Sequence, residues 1–201
     1  MKLTIILLPL IIIGSFAGKV CKIKCPNGEK IYAMGTSQAD KRTIVDVHNK
    51  YRRMIEEGKV PGQPRSTKME KMYYDANLGR IARNVTQTCK MEHVIVKDKR
   101  WAFVGQNLYI ERSSKKCKKT NWETAIKKWF DEQKLYKYPK PPTSKTGHYT
   151  QVVAQNTTAI GCDYVFFYNP QKPKNPYTKL YACNYGPAGN VEGMPPYNVP
   201  T

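Results

Sequence analysis

The sequence predicts an α+β fold in one domain, with helices packed against a β-sheet. Three amphipathic stretches with helical spacing come first, and two β-branched and aromatic runs follow them. A chain of 201 residues is long enough for one well-packed core and short for two. Helices followed by strands in a chain of this size favour a layered α+β domain.

Residues 1–17 have the pattern of a signal peptide. A basic residue precedes the apolar run 3–16, and the small residues Ser15 and Ala17 suit a cleavage site before Gly18. An uncleaved anchor is the weaker alternative, because the run is shorter than the roughly 20 residues that span a bilayer. We therefore expect a secreted protein with no transmembrane segment.

The mature chain divides into a Cys-containing arm, residues 18–36, and a main domain, residues 37–201. An even number of cysteines in an exported chain predicts disulfides rather than free thiols. Asn84 and Asn156 begin N-glycosylation motifs, which also fit an exported protein. The six cysteines allow 15 pairings on sequence grounds alone; they are Cys21, Cys25, Cys89, Cys117, Cys162 and Cys183.

The first helix is predicted from Ser37, which has capping-box spacing to Asp40, to the region before Gly58. Its apolar positions recur at three- and four-residue steps. His48 lies on that face and is expected to be a packed helix residue rather than a ligand. A loop is expected over 60–69, where Pro and Gly interrupt the pattern.

Asp75 is the expected cap of a second helix, whose apolar face ends near Cys89. Thr120 and Glu123 have capping-box spacing and predict a third helix that runs to about Tyr136, before a group of prolines. Residues 160–168 and 177–185 then predict two antiparallel strands joined by a long basic loop, and 186–201 should be irregular.

The formal charge of +19 predicts attraction to polyanions. Because the chain is expected to be exported, we favour glycans, anionic cell surfaces or anionic small molecules over nucleic acid. The alternative is a solvated basic surface that only maintains solubility. The basic clusters contain Lys97, Lys99, Arg100, Lys115, Lys116, Lys118, Lys119, Lys127 and Lys128.

Two long motifs resemble the signatures of the CAP superfamily of cysteine-rich secretory, antigen-five and pathogenesis-related proteins. Residues 147–153 (GHYTQVV) are similar to the first signature, and residues 181–190 (YACNYGPAGN) to the second. The arm 21–25 (CKIKC) resembles the mature N-terminus of insect antigen-five proteins. The resemblance covers the whole mature chain and implies an α-β-α sandwich with a disulfide-tethered arm.

In the CAP family, two His and two acidic residues line a cleft between sheet and helices, and the resemblance places these positions on His93, Gln106, Glu132 and His148. Gln106 replaces one acid. Two neutral imidazoles suit Zn²⁺ or Cu²⁺, and Glu132 would add a ligand or orient an imidazole. The alternative is that these side chains hydrogen-bond to one another, shape the cleft and hold no cofactor.

The family pattern also pairs Cys162 with Cys183. The other four cysteines are then expected to pair among themselves, with bonds from arm to body favoured over a Cys21–Cys25 link. Ala154 departs from the family pattern, which has Trp there, and the smaller side chain is expected to open a cavity or enlarge a pocket.

We infer a secreted, monomeric protein of an arthropod salivary or venom gland that binds a host ligand in the cleft. The ligand is an anionic lipid, an eicosanoid or a divalent metal. A second hypothesis is a glycan or cell-surface binder acting through the basic clusters. A third is a metal-dependent enzyme, either a hydrolase or a copper redox scavenger; because neither a Gly-x-Ser-x-Gly motif nor a Cys–His signature is present, we expect no enzyme and assign no catalytic residue.

Overall fold

The structure is a computed structural model that describes residues 25, 26 and 28–201. The leader 1–17 and Cys21 therefore lie outside the described residues. Helices cover both faces of one β-sheet, which gives the predicted α-β-α sandwich. Among the described residues, no helix combines the length and apolar character needed to cross a membrane.

Four helices and five strands make up the part of the chain that the structure describes. The helices are α1 (Gln38–Glu56), α2 (Ala76–Thr86), α3 (Trp122–Asp131) and α4 (Gly147–Val152), and a short 3-10 turn, Glu132–Lys134, follows α3. The strands are β1 (Ile31–Met34), β2 (Tyr73–Tyr74), β3 (Gly105–Ser113), β4 (Ala159–Tyr168) and β5 (Tyr177–Gly186).

The sheet is built around the hairpin of β4 and β5. Its order is β1-β4-β5-β3, and the short β2 pairs with β4 in parallel. The predicted antiparallel pairing of β4 and β5 is present, and it places Cys162 directly opposite Cys183, with which it forms a disulfide. β1 and β3, which were not predicted from the sequence, complete the two sides of the sheet.

A large apolar core lies between the sheet and the layer formed by α1, α3 and α4. It contains alternate residues of β4, among them Tyr164 and Phe166, together with the buried indoles of Trp122 and Trp129. The residues between them, Val165 and Phe167, face a second, smaller core on the side of α2. Both faces of β4 are therefore covered, which explains its almost continuous apolar sequence.

The local signals for α1 and α2 act as predicted. The Ser37 hydroxyl accepts from the Asp40 amide while the Asp40 carboxylate accepts from the Ser37 amide, which completes the capping box. Gly58 has a positive φ of 65° immediately after α1, where a side chain would be strained. Asp75 caps α2 by accepting from the Leu78 amide.

The predicted cap of α3 was wrong by one residue. Asn121, not Thr120, is the N-cap and accepts from the Thr124 amide. Thr120 instead donates its hydroxyl to the Asp40 carboxylate of α1. The hydrogen bond to Asp40 thus engages the Thr120 hydroxyl, which the local spacing favoured as the cap of α3. At the other end, the regular helix stops at Asp131 rather than near Tyr136.

The N-terminal arm is held to the body by a disulfide between Cys25 and Cys89. This is a bond from arm to body, as favoured on sequence grounds. Cys117 is exposed and forms no disulfide within the described residues. A third disulfide, which would join Cys117 to Cys21, stays a prediction because Cys21 lies outside the described part of the chain.

Candidate functional site

The first half of the candidate site is the pair Glu132 and His148. One carboxylate oxygen, Oε1, accepts from the His148 ring atom Nδ1 at 2.6 Å. The other, Oε2, accepts from the backbone amides of His148 and Tyr149 at 3.0 and 3.2 Å. Glu132 therefore accepts hydrogen bonds from amides of the first turn of α4 and fixes the orientation of the His148 ring. Because the Nδ1 of His148 holds the proton, the Nε2 of His148 carries the free lone pair.

The second half is the pair His93 and Gln106. The His93 Nδ1 lies 3.0 Å from the Gln106 Oε1, which also accepts from the Val94 amide at 3.2 Å. On its other side, the Gln106 Nε2 donates to the Asn184 Oδ1 at 3.0 Å, and the Asn184 Nδ2 donates to the Leu78 carbonyl at 3.2 Å.

This chain of bonds determines which nitrogen of His93 holds the proton. The Leu78 carbonyl can only accept, so the Asn184 amide must turn its oxygen toward Gln106. Gln106 must then donate to Asn184 and present its own oxygen to His93. His93 consequently donates through Nδ1 and keeps the lone pair of Nε2.

The same chain explains why Gln fits at position 106. A carboxylate there would face the Asn184 Oδ1, and two acceptors would meet beside a fully buried side chain. Asn184 cannot turn its amide to relieve this, because its oxygen would then face the Leu78 carbonyl. Gln106, which replaces the acidic residue of the family pattern, therefore fits its neighbour Asn184 better than a carboxylate would.

Both halves attach to the beginning of β3. Gln106 contacts His93, and its neighbour Asn107 donates to the His148 carbonyl at 3.1 Å. His93 is exposed and His148 is partly exposed, so both rings are accessible. Among the described residues, however, no group of three or more His, Cys, Asp or Glu side chains is arranged to hold a metal ion.

His48 lies in the core and is not a ligand. Its Nδ1 is 2.7 Å from the Ile44 carbonyl and its Nε2 is 3.0 Å from the Tyr185 hydroxyl, so both ring nitrogens are used. Burial is the main reason that the pKa of the His48 imidazole falls to about 4, and the nearby charge of Arg52 contributes to the same decrease. Asn107 donates to the same Tyr185 hydroxyl and links this buried group to the site.

Three residues of this site were not singled out from the sequence: Asn107, Asn184 and Tyr185. Asn184 and Tyr185 lie in the segment 181–190 that resembles the second family signature, and Asn107 directly follows Gln106; these were the signals that could have marked them. Their roles depend on contacts between β3, β5 and α1 that no local pattern encodes.

The basic residues of the predicted clusters differ in whether they form ion pairs with acidic side chains. Arg100 is engaged by Asp75 and Asp98 at 2.6 and 2.7 Å, and its hydrogen bonds hold the pKa of Asp98 well below the usual range. Lys127 pairs with Asp131 on α3. The remaining members of the clusters, Lys97, Lys99, Lys115, Lys116, Lys118, Lys119 and Lys128, are exposed.

A polar cavity of about 820 Å³ lies away from the two histidines. It is bordered by the first turns of α1 and α3, and Arg83, Lys118 and Lys119 contribute its positive charges. Asp40 and Glu123 also line it.

Among the described residues, backbone occupies the position beside Ala154 where the sequence predicted a cavity. Ala154 is buried, and a Cβ built on Gly189 would lie 2.5 Å from the Cβ of Ala154. The backbone of the C-terminal segment therefore fills the space that a larger side chain would need.

Comparison with known proteins identifies the family. The cysteine-rich secretory protein family, CAP, matches residues 45–185. This chain belongs to the CAP family. It is similar to a salivary antigen-5 of Triatoma infestans, with 32% identity over 90% of this chain and 81% of that protein. It is also similar to venom allergen 3 of Solenopsis invicta, with 36% identity over 83% of this chain and 75% of that protein.

Solved CAP structures share the fold. Na-ASP-1 has a TM-score of 0.69 and 28% identity, over 83% of this chain and 43% of that one. A structure described as NaASP2 with Zn²⁺ has a TM-score of 0.68 and 26% identity, over 88% of this chain and 90% of that one. The two relatives compared by sequence are thus a salivary protein and a venom protein, and the solved structures share the CAP fold.

Proposed function

We propose that this CAP protein is a secreted ligand-binding protein whose site binds a divalent metal ion through the Nε2 atoms of His93 and His148. One observation carries the proposal: each histidine donates its Nδ1 proton to a side-chain oxygen, which leaves Nε2 free. Histidines that bind metals characteristically donate the other ring N–H to a carboxylate or carbonyl oxygen in this way.

The residues fit a weak, open site rather than a closed structural one. Both oxygens of Glu132 are already engaged, and Gln106 directs its oxygen to His93 and Val94. Two imidazoles suit Zn²⁺ or Cu²⁺, whereas structural zinc sites have four protein ligands. A bound metal would supply open positions for an anionic ligand, and a carboxylated lipid or eicosanoid has the chemistry to occupy one.

The site is tested by titrating the mature protein with Zn²⁺ by isothermal calorimetry. We expect the wild type to bind and the double variant His93→Ala/His148→Ala to lose at least about tenfold in affinity, because both ligands are removed. Glu92→Ala is the matched control, since it removes an exposed carboxylate beside His93 and should leave the titration unchanged. Undiminished affinity in the double variant would exclude this site.

A second candidate function, binding of a sulfated glycan, is favoured by the polar cavity beside Lys118 and Lys119. Exposed cationic side chains attract sulfate groups, and added salt weakens this attraction because it shortens the Debye length, which is roughly 8 to 10 Å near physiological ionic strength. The two candidates use different residues, so the tests are independent. The remaining hypothesis, a metal-dependent enzyme, has no specific contact in its favour, and the absence of enzymatic activity stays a prediction.

Heparin chromatography with a salt gradient tests the glycan function. We expect Lys118→Ala/Lys119→Ala to elute at a clearly lower salt concentration than the wild type. Lys172→Ala/Lys174→Ala makes the same change in net charge in the exposed loop between β4 and β5, and it should shift elution less. Equal shifts in the two variants would show that only the overall charge matters.

A further inference from the structure

Exposed apolar side chains are concentrated on one part of the surface. The described residues include ten large apolar side chains that are exposed, and six of the ten come from two short segments. The six are Met91, Val94, Ile95, Phe103, Val191 and Met194, which we call the apolar corner.

Hydrogen bonds bring these segments together. The Val94 amide donates to the Gln106 side chain, and Phe103 lies three residues before Gln106 at the start of β3. The Phe103 carbonyl accepts from the Ala188 amide at 3.0 Å, and Ala188 is three residues before Val191. Parts of the corner far apart in sequence therefore meet beside the first residues of β3.

Ile95 and Phe103 are the most exposed members, with 90% and 77% of their surface accessible. Val96, between Ile95 and Lys97, is buried, so the segment is packed onto the body rather than extended into solvent. Cys89 anchors the beginning of the segment through its disulfide to Cys25. Isolated apolar residues on a surface are ordinary, but a concentrated and anchored group indicates an interaction site.

The charges around the corner indicate what it contacts. Lys90, Lys97 and Lys99 are exposed in the same segment. The neighbouring Asp98 carboxylate is ion-paired with Arg100. Two exposed carboxylates, Glu92 and Glu192, also border the corner and are outnumbered by the three ammonium groups. The overall formal charge of +19 adds to the attraction for an anionic surface. Apolar side chains bordered by lysines match an anionic lipid surface, where the former enter the interface and the latter meet phosphate or carboxylate headgroups.

We propose that the apolar corner docks this protein onto an anionic lipid bilayer, with Ile95 and Phe103 entering the interface and Lys97 and Lys99 contacting the headgroups. His93 lies directly before Val94, so docking brings the histidine site to the membrane surface. The proposal does not depend on metal binding, because it uses none of the metal-binding side chains.

The test is co-sedimentation of the mature protein with vesicles of phosphatidylcholine alone or of equal parts phosphatidylcholine and phosphatidylserine. We expect binding to the mixed vesicles and little to the neutral ones. Ile95→Ser/Phe103→Ser should reduce binding to the mixed vesicles about tenfold or more, since it removes the two most exposed apolar groups. Lys97→Gln/Lys99→Gln should also reduce it about tenfold.

The matched control is Tyr73→Ser/Leu135→Ser, which removes two exposed apolar side chains outside the corner and should leave binding within about twofold of the wild type. A second readout uses brominated acyl chains, which should quench the added indole of Ile95→Trp and not that of Leu135→Trp. The proposal is overturned if the wild type does not bind mixed vesicles, if the control loses as much binding as Ile95→Ser/Phe103→Ser, or if quenching does not distinguish the two indoles.

Discussion

Replacing Arg52 by Met is expected to lower the free energy of unfolding by at least about 3 kcal/mol at neutral pH. Arg52 is buried in α1, and its guanidinium donates to five backbone carbonyls. Burial lowers its pKa to about 10, so it remains charged at neutral pH. Methionine fills much of the same space but removes all five of these hydrogen bonds.

The carbonyls explain why the effect should be large. They belong to Glu70 and to four residues in the segment 152–157, which begins with the last residue of α4. One side chain of α1 thus holds two separate loops against the core. Lysine at position 52 should give an intermediate loss, because an ammonium keeps the charge but lacks the planar set of five donors.

Urea unfolding of the wild type, Arg52→Met and Arg52→Lys measures the effect. Arg53→Met is the matched control, since Arg53 is the next residue of α1 and is exposed. It should change the unfolding free energy by no more than about 0.5 kcal/mol. An equal loss in both methionine variants would mean that the buried hydrogen bonds of Arg52 contribute nothing special.

The second large effect concerns His48 and pH. The pKa of His48 is about 4 in the folded protein and has a reference value of 6.5 in an exposed imidazole. As the pH falls below 6.5, the unfolded chain takes up a proton on this residue while the folded protein does not. The contribution of neutral His48 to the free energy of unfolding is therefore fully present above pH 6.5. It is lost as the pH falls toward 4, by about 3 kcal/mol in total.

Comparison with His48→Gln isolates this contribution, because other acidic groups titrate in the same range. We expect the variant to be less stable at neutral pH, since the bonds to Ile44 and Tyr185 change. The difference in unfolding free energy between the two proteins should then shrink as the pH falls from 6.5 to 4. A difference that stays constant over this range would show that His48 does not titrate as its burial requires.

Local patterns predicted the elements whose signals lie within a few residues. The capping box of Ser37 and Asp40, the cap at Asp75 and the hairpin of β4 and β5 all follow from neighbouring residues or from simple alternation. Strand β3 was missed, because its sequence mixes Gly, Gln, Asn, Glu and Arg with its apolar residues. It becomes a strand through its long pairing with β5.

Helix α4 shows the same limit at the candidate site. It has six residues and no cap from its own N-cap side chain, so the local sequence gives a weak signal. Glu132, fifteen residues before Gly147 at the start of α4, accepts from the His148 and Tyr149 amides instead. The resemblance to the CAP family marked Glu132 and His148. The role of the Glu132 carboxylate, which caps α4 and orients the His148 ring, follows only from the contact between the end of α3 and the start of α4.

By itself, the sequence determined the α+β class, the family, the helix caps at Ser37 and Asp75 and the residue types of the site, because these depend on local propensity or on long motifs. Only the tertiary structure decided that Cys25 bonds to Cys89, that Asn121 replaces Thr120 as a cap, and that Asn184 orients Gln106 toward His93. These outcomes depend on donors and acceptors that are distant in sequence. Their pairing is selected by packing, since a buried polar group must find its partner wherever the fold places one.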